Sequence, residues 1–257
     1  MAADGSRQAD DARRRLELIR STIQRQTRNL VLALDTKPRT SQTVRQQAAN
    51  LRLIRQQIDD RLAAIEPQVR AIVVDEAANL ALEIAEEEDL AEFAPDIERQ
   101  VDAIISTQTR DIADTFEDAS RAIGDAIALG TTTGAELGEI VDEVARQLET
   151  SFVRAQAAVD TAIMGAGRSI TVGAAIEGED PNDPTVLFVA GPEDEKNRPW
   201  CEKHVGKAYT PERLERDGPD AGQPTPVAVF AGGYNCRHTF APMRMSDARK
   251  EGIEVFR

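Results

Sequence analysis

Aliphatic residues at helical spacing, carried over long stretches, constrain this chain more than any other feature of it. Val44, Leu51, Ile58 and Ile65 return every seven residues, with Ala48, Ile54 and Leu62 beside them. Upstream, Leu16, Ile19, Ile23 and Leu30 draw a narrow apolar stripe along a segment from Ser6 to Leu34. Such stripes are the seams of helix bundles and coiled coils. Aromatic residues make up only 4% of the 257, with a single Trp200, so a core must be built from Leu, Ile, Val and Ala. That is the vocabulary of helices packed on helices.

The order of elements follows from the breaks between stripes. Asp35-Thr-Lys-Pro38 separates the first two helices, Thr40 or Ser41 caps the second, and the short connection predicts an antiparallel hairpin. Pro67 suits the first turn of a third helix carrying Val69, Ile72, Val73, Leu80 and Ile84, which runs into the acidic stretch Glu86 to Asp89. A long amphipathic helix then follows Pro95, with Ile97, Val101, Ile104, Ile105, Ile112, Phe116, Ile123 and Ile127, and Gly130 is expected to end it. Thr131 to Thr133 offer caps for a short helix through Val144, and a further segment covers about 150–163.

Beyond Gly165 the texture changes. Gly165, Gly167, Gly173 and Gly178 interrupt the helical pattern, and Pro181 and Pro184 lead into the β-type run Val186-Leu-Phe-Val189. The remainder is rich in glycine and proline. The reading is therefore mainly α: an elongated helical bundle of hairpins over 1–165, a Gly/Pro-rich linker with a short strand over 166–190, and a small loop-rich α+β module over 191–257.

Both cysteines and both histidines of the chain fall in that module, as Cys201-Glu-Lys-His204 and Cys236-Arg-His238. Two thiols and two imidazoles are the ligand set of a tetrahedral zinc site, and a module too small to hold itself by burial gains most from such a staple. Cys201, His204, Cys236 and His238 are the candidate metal ligands. A Cys201–Cys236 disulfide and a merely packed cluster are the other two readings.

Charge is uneven. Residues 1–70 carry 14 Arg and Lys against 8 carboxylates, almost all of the cations arginine, whereas residues 71–150 carry 4 against 21. The polarity suits head-to-tail contact between copies or contact with partners of opposite charge. Arginine suits phosphate, yet Asp10, Asp11 and Glu17 are interspersed and stacking aromatics are missing, so DNA contact is a secondary reading. No apolar run is long enough to span a bilayer, and the N-terminus lacks the layout of a signal peptide, so a soluble protein made inside the cell is expected.

Three strings together resemble the phage minor head protein family, the head-morphogenesis proteins similar to the F protein of phage Mu. They are Gly130-Thr-Thr-Thr133 with Glu136-Leu137 and the helix to Leu148; Arg198-Pro-Trp-Cys201 with His204, Gly206 and Lys207; and Gly232-Gly-Tyr-Asn-Cys236-Arg-His238 closing with Ala241-Pro242. The resemblance spans roughly residues 120–245. It departs from the family where Asp160-Thr161-Ala162 replaces an Arg-Thr-Glu and where His204 and His238 stand at cysteine positions.

The resemblance implies a non-enzymatic virion protein of a tailed phage, made in the host cytoplasm, acting in head assembly near the portal or neck. It would be present in few copies and work through contacts with portal, coat, neck or tail components, or with further copies of itself. Two alternatives stand beside it: an internal head protein that contacts DNA, and a zinc-dependent nuclease. The nuclease would need a general base and an open coordination position beyond structural ligands.

Overall fold

The computed structural model describes residues 6–32, 44–87, 95–133, 137–177 and 180–257. Among them the chain forms four long helices followed by a small mixed module. The helices are α1 (Ser6–Leu32), α2 (Val44–Glu87), α3 (Pro95–Thr133) and α4 (Leu137–Glu177). The module runs β1 (Thr185–Ala190), α5 (Pro199–His204), β2 (Ala208–Tyr209), α6 (Pro211–Asp217), α7 (Val227–Phe230), β3 (Thr239–Arg244), α8 (Met245–Lys250) and β4 (Val255–Phe256). The mainly α class with an α+β C-terminal module is as read from the sequence. Among the described residues, no helix is long and apolar enough to cross a membrane.

Three expected helix breaks are absent. Pro67 lies inside α2 instead of opening a new helix. An internal proline costs about 3 kcal/mol through its lost hydrogen bond and its clash with the carbonyl four residues back. Here Pro67 and Ala63 lie on the exposed face, while Leu62, Ile65, Val69 and Ile72 stay buried along one unbroken seam. Burying four aliphatic side chains outweighs one bond. Likewise α4 runs unbroken through 145–149 and through Gly165, Gly167 and Gly173 to Glu177, where two segments and a linker were expected, whereas the end of α3 expected at Gly130 comes at Thr133. The features expected at Asp35 to Pro38, Thr40, Ser41 and Asp89 lie outside the described residues.

The glycines of α4 are there for close approach. A Cβ on Gly167 would stand 2.9 Å from Leu80 Cδ2, and one on Gly173 would overlap Ile97. They let large aliphatic side chains of α2 and α3 press against the α4 backbone, which is a packing demand and leaves the helix intact.

The residues group into two compact units, and each of the four helices contributes to both. One unit, 13–72 and 109–156, is purely helical among its described residues. Its core is Leu16, Ile23, Ile58, Leu62, Ile65, Ile112, Ile123 and Leu148, with Phe116 and Phe152 packed edge to face at 5.5 Å. The expected pairing of α1 with α2 is seen here where Arg61 donates to Gln26, at 2.9 Å. Arg20 joins Glu149 at 2.7 Å and Gln24 donates to the same carboxylate at 2.9 Å.

The other unit takes in 1–12, 73–108 and 157–257, so the last five turns of α4 belong with the module. Its sheet has the order β3-β1-β2-β4, antiparallel except for the β2–β4 pair. Strand β3 is an edge, which accommodates Pro242 opposite Leu187 without breaking a central ladder. The alternation of β1 sends Leu187 and Val189 to one face with Trp200, Tyr209, Leu214, Phe240 and Val172 of α4. Val186 and Phe188 go to the other face, with Ala208, Met245 and Ala248.

Gly173→Ala should cost about 1–3 kcal/mol in urea unfolding, the usual range for overpacking. Combining it with Ile97→Val should recover part of that loss, because the two changes meet at one contact.

Candidate metal centre

Helix α5 starts at Pro199, whose missing N–H costs nothing in a first turn, and spans only six residues. Within it Trp200, Cys201 and His204 are buried. Trp200 and His204, four apart, stack face to face with ring centres 4.2 Å apart, and His204 Nδ1–H donates to the Trp200 carbonyl at 2.7 Å. This turns His204 Nε2 toward Asp217 Oδ2, 3.6 Å away, and toward Tyr209. Cys201 points the other way.

There it meets the second string. Cys201 Sγ lies 3.8 Å from Cys236 Sγ, and Cys236 Sγ lies 3.7 Å from His238 Nδ1. The three donor atoms all fall within 4.8 Å of one another, and the residues are buried. His238 Nε2–H donates to the Pro192 carbonyl at 3.1 Å, which leaves the Nδ1 lone pair facing the sulfurs. A backbone carbonyl fixing the far nitrogen in this way is the usual support of a metal-bound imidazole. Cys201, Cys236 and His238 can therefore hold a metal ion. His204, expected as a fourth ligand, is not brought to them.

The loop that presents Cys236 is tightly wound. Ala231 (φ 48°), Gly233 (φ 112°) and Asn235 (φ 52°) are left-handed, and Asn235 N–H donates to Thr161 Oγ1 of α4 at 2.8 Å. A Cβ on Gly232 would overlap Cys201 Sγ and stand 3.4 Å from Cys236 Sγ, so only glycine fits beside the sulfur pair. Arg198 ties the two strings together by donating to the carbonyls of Gly232 at 3.0 Å and Tyr234 at 2.6 Å.

A residue that no motif flagged anchors the whole arrangement. Arg168 of α4 is fully enclosed and donates to three carbonyls: His238 at 2.9 Å, Val229 at 2.9 Å and Cys236 at 2.5 Å. Its signal in the sequence was its isolation, as the only charged residue between Thr161 and Ile176. Burial pulls its pKa down, opposed by the nearby sulfurs of Cys236 and Cys201.

The thiols titrate as a pair. Cys236 is lowered to about 3 chiefly because it accepts a hydrogen bond from Cys201, with the charge of Arg168 and the backbone N–H of His238 adding to the effect against the cost of burial. Cys201, the donor, is raised for the same reason and by desolvation. The two shifts run in opposite directions because one sulfur donates to the other, and a metal would require both as thiolates.

No family model matches the chain, and neither a curated protein nor a solved structure matches it.

Two outcomes test this geometry. Arg168→Lys should destabilise the unit by about 3–5 kcal/mol, since an ammonium cannot span three carbonyls and a buried charge loses its partners; chemical unfolding measures it. Burial first, then Lys203, lowers the pKa of His204 below 6.5, against the pull of the Trp200 carbonyl and Asp217. The stability held by neutral His204 is complete above its unfolded value of 6.5 and drains as pH falls through that value toward the lowered one. His204→Gln should flatten this slope in a pH series of unfolding curves.

Proposed function

We propose that this chain is a structural component of a tailed-phage head, acting through protein–protein contacts, whose C-terminal module is closed on zinc by Cys201, Cys236 and His238. One observation carries the reading: the two strings that most resemble the phage minor head family meet in space, and their polar groups serve the chain's own backbone. Arg198 holds the carbonyls of Gly232 and Tyr234, the Trp200 indole donates to Gly218 O at 2.9 Å, and His238 holds Pro192. Residues used in this way define a folding signature, which is what a scaffold component needs.

The donor set and spacing support zinc. Bonds of about 2.3 Å to sulfur and about 2.0–2.1 Å to nitrogen, at tetrahedral angles, give edges of about 3.8 Å between sulfurs and about 3.6 Å from sulfur to nitrogen. The two separations at Cys236 are 3.8 and 3.7 Å. When bound, the ion would supply a cross-link between α5 and the loop before β3, with no part in a reaction. The nuclease alternative needs a metal that substrate can reach, and Cys201, Cys236 and His238 are 3%, 4% and 2% exposed. The contacts proposed are with portal, coat, neck or tail components and with further copies of the chain.

Purified protein should carry about one zinc per chain by elemental analysis. Cys236→Ser and His238→Ala should lose it and loosen 190–245 to proteolysis while the helices persist, whereas His204→Ala should keep it. For the head assignment, mass spectrometry of particles from cells carrying the gene should find a few copies per head. Its absence from particles that contain portal and coat would contradict the reading.

A further inference from the structure

We infer that Cys201 and Cys236 form a reversible disulfide site, selective for a small peroxide oxidant, in which the covalent staple replaces the metal one. Three features of the site lead there. The sulfurs belong to separate elements, α5 and the loop before β3, and already stand 3.8 Å apart. Closing to a bond of about 2.05 Å requires a movement of about 1.8 Å, within reach of rotating the two side chains. The backbone of Gly232 lies against both sulfurs with no Cβ to block their approach.

The chain has no third cysteine, so a disulfide within one molecule can only join Cys201 to Cys236. Moreover, the backbone around the pair is held independently of the sulfurs. Arg168 grips the Cys236 carbonyl, Arg198 the Gly232 and Tyr234 carbonyls, and Asn235 N–H the Thr161 hydroxyl. The two ends therefore stay in register whether a metal, a proton or a covalent bond lies between them.

The chemistry balances with hydrogen peroxide as the oxidant. One cysteine, as thiolate, attacks a peroxide oxygen; the O–O bond breaks, hydroxide leaves and takes a proton to become water, and the sulfur becomes a sulfenic acid. The second sulfur attacks the first, the S–O bond breaks, and the hydroxyl leaves as a second water with the remaining proton. Two thiols and one peroxide become one disulfide and two waters. If a metal is bound, both sulfurs start as thiolates and the two leaving hydroxides take their protons from solvent; the metal loses two of its three protein donors and departs as the cation, and His238 Nδ1 is left free. Burial of both cysteines to 3% and 4% exposure keeps out a bulky disulfide such as oxidised glutathione, so the site calls for an oxidant as small as hydrogen peroxide.

The metal-release half of this inference rests on the zinc reading above, and the disulfide half does not. Full-length protein as purified is treated with one equivalent of hydrogen peroxide in the presence of a zinc-sensitive dye, then mapped by non-reducing mass spectrometry. The expected result is a Cys201–Cys236 link within one chain, a mass lower by two hydrogens, one zinc released per link, and reversal by dithiothreitol. His238→Ala, lacking the metal's protection, should form the same link at least tenfold faster without releasing zinc. Protein that contains no zinc but forms the link refutes the zinc reading and supports the disulfide site. Folded protein that keeps both thiols, oxidises them to sulfinic acid, or links only between chains overturns the inference, with zinc content still free to support the metal reading.

Discussion

A buried guanidinium shared by three carbonyls is the interaction on which the C-terminal module depends. Arg168 projects from α4 into a place without water, where an unpaired cation would be prohibitively costly, and the chain answers by bending three backbone oxygens toward it. Two of them belong to Cys236 and His238. The same cation that is satisfied by these carbonyls therefore fixes where two of the three donor side chains start. The left-handed residues at 231, 233 and 235 make the turn sharp enough for the carbonyls to converge.

From that anchor the site builds outward. Arg198 fastens the loop to the start of α5, which brings Cys201 to Cys236, and Pro192 holds the far side of His238. Elsewhere on α5, Trp200 stacks against His204, whose Nδ1 is held by the Trp200 carbonyl. The two histidines, alike in sequence context, thus have different work. His238 faces sulfur with a lone pair, and His204 packs against aromatic rings beside Asp217.

The long helices were legible because burial at every third or fourth position leaves a strong periodic mark, as the seam from Ile58 to Ile72 shows. Breaks were overcalled at Pro67 and at the glycines of α4. Local propensity disfavours a helix at these residues, but tertiary packing decided otherwise through the buried seam on either side of Pro67 and close side-chain approach at the glycines. Residue type and co-location alone singled out Cys201, Cys236 and His238, which the structure brings together, and His204, which it does not. The spacing Cys201 to His204 says nothing about Trp200, on which that imidazole stacks. Arg168 lay 33 residues before Cys201, and only its solitude in an uncharged run marked it.

The most direct test of a three-residue metal centre is X-ray absorption at the zinc edge of the loaded protein. A shell of two sulfurs at about 2.3 Å and one imidazole nitrogen at about 2.0–2.1 Å, unchanged in His204→Ala, is the result this structure predicts. Two imidazoles in the shell, or a shell of oxygen atoms alone, would contradict it.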